Sequence, residues 1–336
     1  MPTVASKPPW TQSDWLEQAS TWIHGALEQQ GIGVTGPIEQ SHVRPWSTVL
    51  HVPTRADAIY FKASAAVLAH EPALTQALSR WRPDCLPKVL ATDLQRGWML
   101  MSDGGTRLRE VLKADHDLRH WETLLPLYAE VQIELVGRLP DLLALGIPNR
   151  QLATLPEQYE QLLVSTEVLR IDLPGGLTSA EYRRLCDWAP HFATLCEQLA
   201  ASHIPESIHH GDFHDGNIFL REGRYVFFDW GDSSASHPFF SLRTAFVSIE
   251  NTLQFDEDAP EFERLRDAYL EPWTQYASRE NLLGTFDLAR RVSPISSALV
   301  WYHVVSSLEE PLRENYAGAI PSLLQEFLSI EAKAVE

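Results

Sequence analysis

The chain's 336 residues are 44% hydrophobic, enough for a sizeable core in one large domain or two lobes. A formal net charge of -18, with Lys and Arg concentrated nowhere, argues against a nucleic-acid partner, since phosphate contacts need clustered cations. No run approaches the roughly 18 apolar residues of a membrane span, and MPTVASKPPWTQSDW has no signal-type apolar core. Cys85, Cys186 and Cys196 show no metal-ligand spacing, so an unprocessed cytoplasmic protein with neither disulfides nor a zinc knuckle is expected.

A first helix is predicted from Ser13 to Gln29, where Trp15, Ala19, Trp22, Ile23 and Ala26 recur at helical spacing before Gly31 and Gly33. From Ile38 to Lys62 the pattern turns to short apolar runs, STVLHVP and AIYFK among them, as antiparallel strands require. A helix over Pro72 to Trp81 follows, then two strands, KVLATD and GWMLMSD, around a polar turn at Leu94 to Arg96. After MSDGG the segments are long and helical: HWETLLPLYAEVQIELV, LPEQYEQLLVSTEVL, SAEYRRLCDWAPHFATLCEQLAA, FERLRDAYLEPW, PISSALVWYHVVSSL and IPSLLQEFLSIEAK. One strand pair interrupts them, NIFL and YVFF around REGR. The expected fold is α+β and bilobal, a small antiparallel β-rich lobe over residues 1–103 and a larger α-helical lobe over 104–336, joined at a Gly-Gly hinge.

Ser207 to Asp232, SIHHGDFHDGNIFLREGRYVFFDWGD, packs four Asp, three His and one Asn around a short apolar run. Phosphoryl transfer calls for an Asp beside the acceptor hydroxyl and for oxygen ligands to Mg²⁺. His210, Gly211 and Asp212 have the His-x-Asp spacing of kinase catalytic loops, Asn217 lies five residues after Asp212, and Asp229 ends the second hairpin strand seventeen residues after it. A hairpin returns Asp229 beside Asn217 although twelve residues separate them. A metal-dependent hydrolase is the alternative, with His209, His210, Asp212, His214 and Asp215 as ligands, because residues two apart share a face of an extended segment. A polar loop without chemistry is the third reading.

HGDFHDGNIF followed by FFDWGD resembles the motif of the aminoglycoside phosphotransferase and choline kinase family, which reads H-G-D-x-H-x-x-N and then a D-W or D-F pair. The resemblance implies a protein-kinase-like fold and an ATP- and Mg²⁺-dependent transfer of phosphate to a small-molecule hydroxyl. It makes Asp212 the catalytic base and Asn217 and Asp229 the metal ligands; His210 and His214 brace the loop, and Phe213 and Ile218 anchor it. In the first lobe it implies that Lys62 reaches the nucleotide phosphates with Glu71 as its ion-pair partner, and that adenine binds at Met101, Ser102 and Asp103. Because Lys62, Asp212, Asn217 and Asp229 are all present, a nucleotide-binding pseudokinase is the weaker alternative.

Two departures stand out. The segment expected to cover the phosphates, QSHVRPWSTVL, contains no glycine, which leaves phosphate contacts to Ser47 and Thr48. After the hairpin, HPFFSL puts Ser241 where the family often has Asp. Charge bears on the acceptor: through Gly105, 8 Lys plus Arg face 9 Asp plus Glu, and beyond it 19 face 36, so the balance falls from -1 to -17. That imbalance suits a cationic acceptor, with Asp232, Asp256, Glu257 and Asp258 as contributors and Trp273, Tyr276, Trp301 and Tyr302 as pocket or core aromatics.

Overall fold

The computed structural model describes residues 8–256 and 259–335, so Glu257 and Asp258 lie outside the described residues. The chain divides into two compact units, the first made of 1–108, 216–231 and 307–312 and the second of 109–215, 232–306 and 313–336.

The first unit opens with helix α1 (Trp15–Glu28), within the predicted span, whose residues Trp15, Ala19, Ile23 and Leu27 are buried at successive four-residue steps. Strands β1 (Glu39–Val43), β2 (Ser47–Val52), β3 (Ile59–Ser64), β4 (Val89–Asp93) and β5 (Trp98–Ser102) form an antiparallel sheet in the order β1-β2-β3-β5-β4. Side chains alternate between the faces of a strand. Ile59, Phe61 and Ala63 of β3 therefore join the core cluster that contains α1, while Lys62 and Ser64 share the opposite face. Trp15, Trp22, Phe61 and Trp98 meet edge-on or tilted, with centroids 5.4–6.1 Å apart. Each such side chain contributes about 1.5–3 kcal/mol on full burial. Helix α2 (Glu71–Trp81) has Pro72 in its first turn, where the missing N–H costs nothing.

A short strand β6 (Thr106–Arg107) pairs with β8 (Ile218–Arg221), which pairs in turn with β9 (Arg224–Phe227). The Gly-Gly step before β6 is a packing necessity. A Cβ at Gly104 would lie 2.5 Å from the Phe228 ring, and one at Gly105, whose φ is +91°, would lie 2.4 Å from the Leu220 carbonyl oxygen. Arg221 ties the hairpin to this step, donating to the Asp103 carbonyl at 2.7 Å and to Asp57 Oδ2 at 2.6 Å.

The second unit is helical: α3 (Leu108–Asp115, from Arg109 onward), α4 (Arg119–Val136), α5 (Leu139–Ala144), α6 (Leu155–Val164), α7 (Thr166–Leu169), α8 (Ser179–Asp187), α9 (Ala189–Ala200), α10 (Ser241–Leu253), α11 (Glu261–Leu270), α12 (Arg279–Val305) and α14 (Ala319–Val335), with α13 (Glu310–Arg313) at its margin. Strands β7 (Ser207–His209) and β10 (Ser234–Ser236) form its antiparallel ladder. Tyr159, Phe192 and Phe327 form one aromatic centre, and Phe239, Tyr269 and Trp273 another, so Trp273 belongs to the core.

Several predicted helices differ in the structure, among them LPEQYEQLLVSTEVL, which Ser165 divides into α6 and α7. SAEYRRLCDWAPHFATLCEQLAA is broken at Trp188, α8 starting from a Thr178–Glu181 capping box and α9 carrying Pro190 in its first turn. PISSALVWYHVVSSL does not begin a helix, because Pro294 lies inside the 27-residue α12. Proline cannot bond the carbonyl four residues back, and the Ser293 hydroxyl donates to that Arg290 carbonyl instead, at 3.1 Å. Cys85, Cys186 and Cys196 are free thiols. Among the described residues no helix is long and apolar enough to cross a membrane.

Candidate active site

In the first unit β3 presents Lys62 and Ser64 on one face, and both reach Glu71 at the start of α2. Lys62 Nζ donates to Glu71 Oε1 at 2.6 Å and to Asp229 Oδ1 at 2.6 Å, while Ser64 Oγ donates to Glu71 Oε2 at 2.7 Å. Lys62 is 5% exposed and Glu71 fully buried. Burial alone would push Lys62 down, but the Asp229 and Glu71 carboxylates outweigh it and hold the ammonium above its ordinary range. Ser64 was not singled out from the sequence; its position two residues after Lys62 on a strand is the signal that would have found it.

The hairpin supplies the rest of this half. Ile218 pairs with Phe227, and beyond that rung the Phe228 N–H donates to the Asn217 carbonyl at 2.9 Å, so Asn217 and Asp229 flank the open end together. Asp229 has φ +63°, a left-handed conformation that Asp tolerates better than most residues and that clusters at functional sites. Its side chain is 45% exposed, and Oδ2 makes no hydrogen bond among the described residues. Mg²⁺ is commonly held by one or two protein oxygens plus substrate phosphates. An amide and a half-exposed carboxylate at the mouth of one hairpin fit that requirement.

The other first-unit residues are less open. The buried Thr48 hydroxyl donates to the His42 carbonyl at 2.7 Å and accepts from Gln40 Nε2 at 2.8 Å, so it is committed to the β1–β2 hairpin. Ser47 is buried beside it, its carbonyl accepting from the Arg44 N–H. Met101 and Ser102 end β5, the Ser102 N–H going to the Lys88 carbonyl, and Asp103 Oδ1 accepts from the Gly105 N–H at 3.0 Å.

The second unit holds Asp212 and the loop around it. Gly211 has φ +83°, and a Cβ there would lie 2.2 Å from the Asp232 carbonyl oxygen, which is why glycine precedes Asp212. Buried His210 braces the turn: its N–H donates to the Tyr128 hydroxyl, its Nδ1 accepts from the Asp212 N–H, and its carbonyl accepts from Ser233, each at 3.3 Å. Phe213 stacks on Tyr128 with centroids 3.9 Å apart. Tyr128 also bonds Ser241 Oγ at 2.9 Å, so where a carboxylate was expected, two hydroxyls in series hold the loop backbone.

His214 Nε2 lies 3.2 Å from Asp212 Oδ2. Burial pulls this imidazole down and Arg109 opposes its charge, but the bond to Asp212 prevails and raises it. Arg109 and Asp215 were missed as a pair. Fully buried Asp215 accepts from Arg109 Nε on Oδ1 and from Thr252 Oγ1 on Oδ2, at 2.7 and 2.6 Å, which removes it from a metal-ligand role. His209 is held neutral, pushed down to about 3 by burial and by nearby Arg150. Among the described residues, no group of three or more His, Cys, Asp and Glu side chains is arranged to hold a metal ion, and the His-x-Asp-x-His hydrolase site has no counterpart.

A strand Lys paired to a helix Glu, a hairpin ending in Asp, and a braced H-G-D loop define a small-molecule kinase of the protein-kinase-like fold. The chain belongs to the phosphotransferase enzyme family, whose sequence profile matches residues 59–280. Solved structures that share the fold include a choline/ethanolamine kinase family protein from Mesorhizobium loti (TM-score 0.60, 16% identity, 94% of this chain and 98% of that one), an ethanolamine kinase from Plasmodium vivax (0.62, 13%, 95% and 91%), and an amicoumacin kinase bound to AMP-PNP and Ca²⁺ (0.52, 13%, 95% and 96%). No match was found among curated proteins.

Proposed function

We propose that the protein transfers the γ-phosphoryl group of ATP to a hydroxyl of a small molecule, with Mg²⁺ as the metal. The observation that carries the reading is buried Lys62 bonded at once to Glu71 and to Asp229, a cation suited to phosphate beside a carboxylate suited to a metal. Nucleotide and divalent metal are further supported by the AMP-PNP and Ca²⁺ bound to the amicoumacin kinase of like fold.

Lys62, oriented by Glu71 and Ser64, would receive the nucleotide phosphates, with adenine against Met101 to Asp103. Phosphate contacts beyond Lys62 would fall to the Ser47 hydroxyl, since the Thr48 hydroxyl is committed within the β1–β2 hairpin and the backbone of both residues is paired in the sheet. Mg²⁺ held by Asn217 and Asp229 would neutralise phosphate charge. Asp212 would accept the acceptor's proton: as the hydroxyl oxygen bonds to the γ-phosphorus, the bond to the bridging oxygen breaks, ADP leaves with that electron pair, and the proton passes to the carboxylate. The Nε2–H of His214 steadies that carboxylate from the side. The charge of -17 beyond Gly105 favours an acceptor with at least one cationic group, such as an amino alcohol or an aminoglycoside-like compound.

The test is a melting experiment with an ATP-consumption screen. ATP should raise the melting temperature only with Mg²⁺ present, and Asp229→Ala should abolish that dependence. Turnover with an acceptor should vanish in Asp212→Asn. ATP binding without turnover of any acceptor would favour the pseudokinase, and no ATP binding at all would end the reading.

A further inference from the structure

We propose that the hydroxyl acceptor also carries an anionic group, a carboxylate or a phosphate, which seats in an open groove of the second unit; this rests on the kinase reading above. The groove encloses about 420 Å³ between α3 and α10 and is lined by Arg109, Lys113, His214, Thr244, Asn251 and Thr252, together with Val247 and Ser248. Among the described residues no carboxylate lines it. In a chain with 36 acidic residues beyond Gly105, two cations, an imidazole, an amide and three hydroxyls form an exceptional surface.

The cations are arranged for the task. Arg109 and Lys113 are four residues apart on α3 and so share a helix face. Arg109 is held by buried Asp215, through Nε and Nη2 onto Oδ1, and Thr252 fixes Asp215 from the other side. That pairing fixes the guanidinium in place and leaves Nη1 without a hydrogen bond among the described residues. Exposed Lys113 makes no ion pair among the described residues, so its charge is the groove's uncompensated one. The Thr244 hydroxyl and the second amide proton of Asn251, whose first goes to the Val247 carbonyl, offer the neutral donors that a carboxylate or phosphate needs beside its cations, while the Thr252 proton is committed to Asp215.

The groove also adjoins the reacting atoms. Arg109 Nη2 lies 3.3 Å from His214 Nδ1, and since a guanidinium can only donate, Nδ1 accepts. Neutral His214 then carries its proton on Nε2, the atom 3.2 Å from Asp212 Oδ2. A single imidazole ring thus separates the groove from the proposed base. An acceptor whose hydroxyl meets Asp212 would place a substituent a few bonds away against Arg109 and Lys113. With the cationic group that the long-range acidity favours, the class is a zwitterionic hydroxyl compound.

Matched pairs test this by ATP consumption: ethanolamine against serine, 3-aminopropanol against homoserine, and glycerol against glycerol 3-phosphate. The anionic member of a pair should be favoured in kcat/KM by about tenfold or more, the effect of one ion pair of moderate strength. The first two pairs report a carboxylate and the third a phosphate. Lys113→Glu should erase the preference, and Lys113→Gln should reduce it. Inorganic phosphate, titrated with AMP-PNP and Mg²⁺ filling the nucleotide site, gives a second reading, because its binding should weaken at least tenfold in Lys113→Glu. A preference for the members without the anionic group, a preference indifferent to Lys113, or phosphate binding that is absent or unchanged in the variant would each overturn the inference. Turnover confined to members without the anionic group would do so while the kinase reading stands; absence of ATP binding would remove the kinase reading itself.

Discussion

Replacing Lys62 and Glu71 singly and together should give a strongly non-additive result. Lys62→Met leaves fully buried Glu71 with only Ser64 as partner and a second carboxylate, Asp229, nearby. Removing one member of a buried pair costs about 3–5 kcal/mol. Glu71→Gln is milder, because Lys62 keeps Asp229 at 2.6 Å, and Asp229 is 45% exposed and partly hydrated; about 2 kcal/mol is expected, in the range for an unsatisfied buried polar group. The double variant replaces the pair with groups of similar volume and no buried charge, an exchange that is often nearly neutral. Its loss should fall short of the sum of the singles by at least about 2 kcal/mol. Urea unfolding curves at pH 7.5 for the four proteins measure this, with ATP turnover in parallel. The double variant should be well folded and inactive, since the cation proposed to receive the phosphates is gone. Losses that add to within about 0.5 kcal/mol would refute the argument, because independent sites behave that way.

Two further outcomes follow from the second unit. Tyr128→Phe removes the hydroxyl that accepts from the His210 N–H and bonds Ser241; stability should fall by about 1–3 kcal/mol. Because that N–H lies two residues before Asp212, kcat should fall more than KM rises, and an unchanged kcat would show that the loop is held by other means. His209 and His237 are both pushed down to about 3 by burial, from an ordinary value of 6.5. As pH falls below 6.5 the unfolded chain takes up these protons and the folded one does not, so stability is full above 6.5 and is lost on acidification towards 3. Between pH 7.5 and pH 5 each histidine should remove about 2 kcal/mol. His237→Asn keeps a side-chain acceptor for the Phe239 N–H but cannot titrate, so unfolding curves at the two pH values should show a smaller loss; a loss equal to wild type would refute the assignment.

The parts of this protein that the sequence made legible are those with a short-range signature. The four-residue spacing of Trp15, Ala19 and Ile23 located α1, the alternation in AIYFK located β3, and the offsets from Asp212 singled out Asn217 and Asp229. Each reflects a repeat or a turn spanning few residues, where local geometry leaves little choice. Pro294 shows the limit: locally it reads as a helix start, but a neighbouring hydroxyl makes it tolerable inside α12.

What tertiary structure alone decided are the partnerships between distant residues. Sequence offered Lys62 for phosphate and Asp229 for metal as separate tasks, and the fold bonds them across 167 positions. It pairs Arg109 with Asp215 across 106 positions, turning a supposed metal ligand into an anchor, and Tyr128 with Ser241 across 113, replacing an expected carboxylate with hydroxyls. The residue types at Asp212, Asn217, Asp229 and Lys62 were written in the chain, because chemistry restricts which side chains can take the roles proposed for them. Which of its many other charges are buried, paired or left facing a groove was not, because burial and pairing exist only once distant segments have packed.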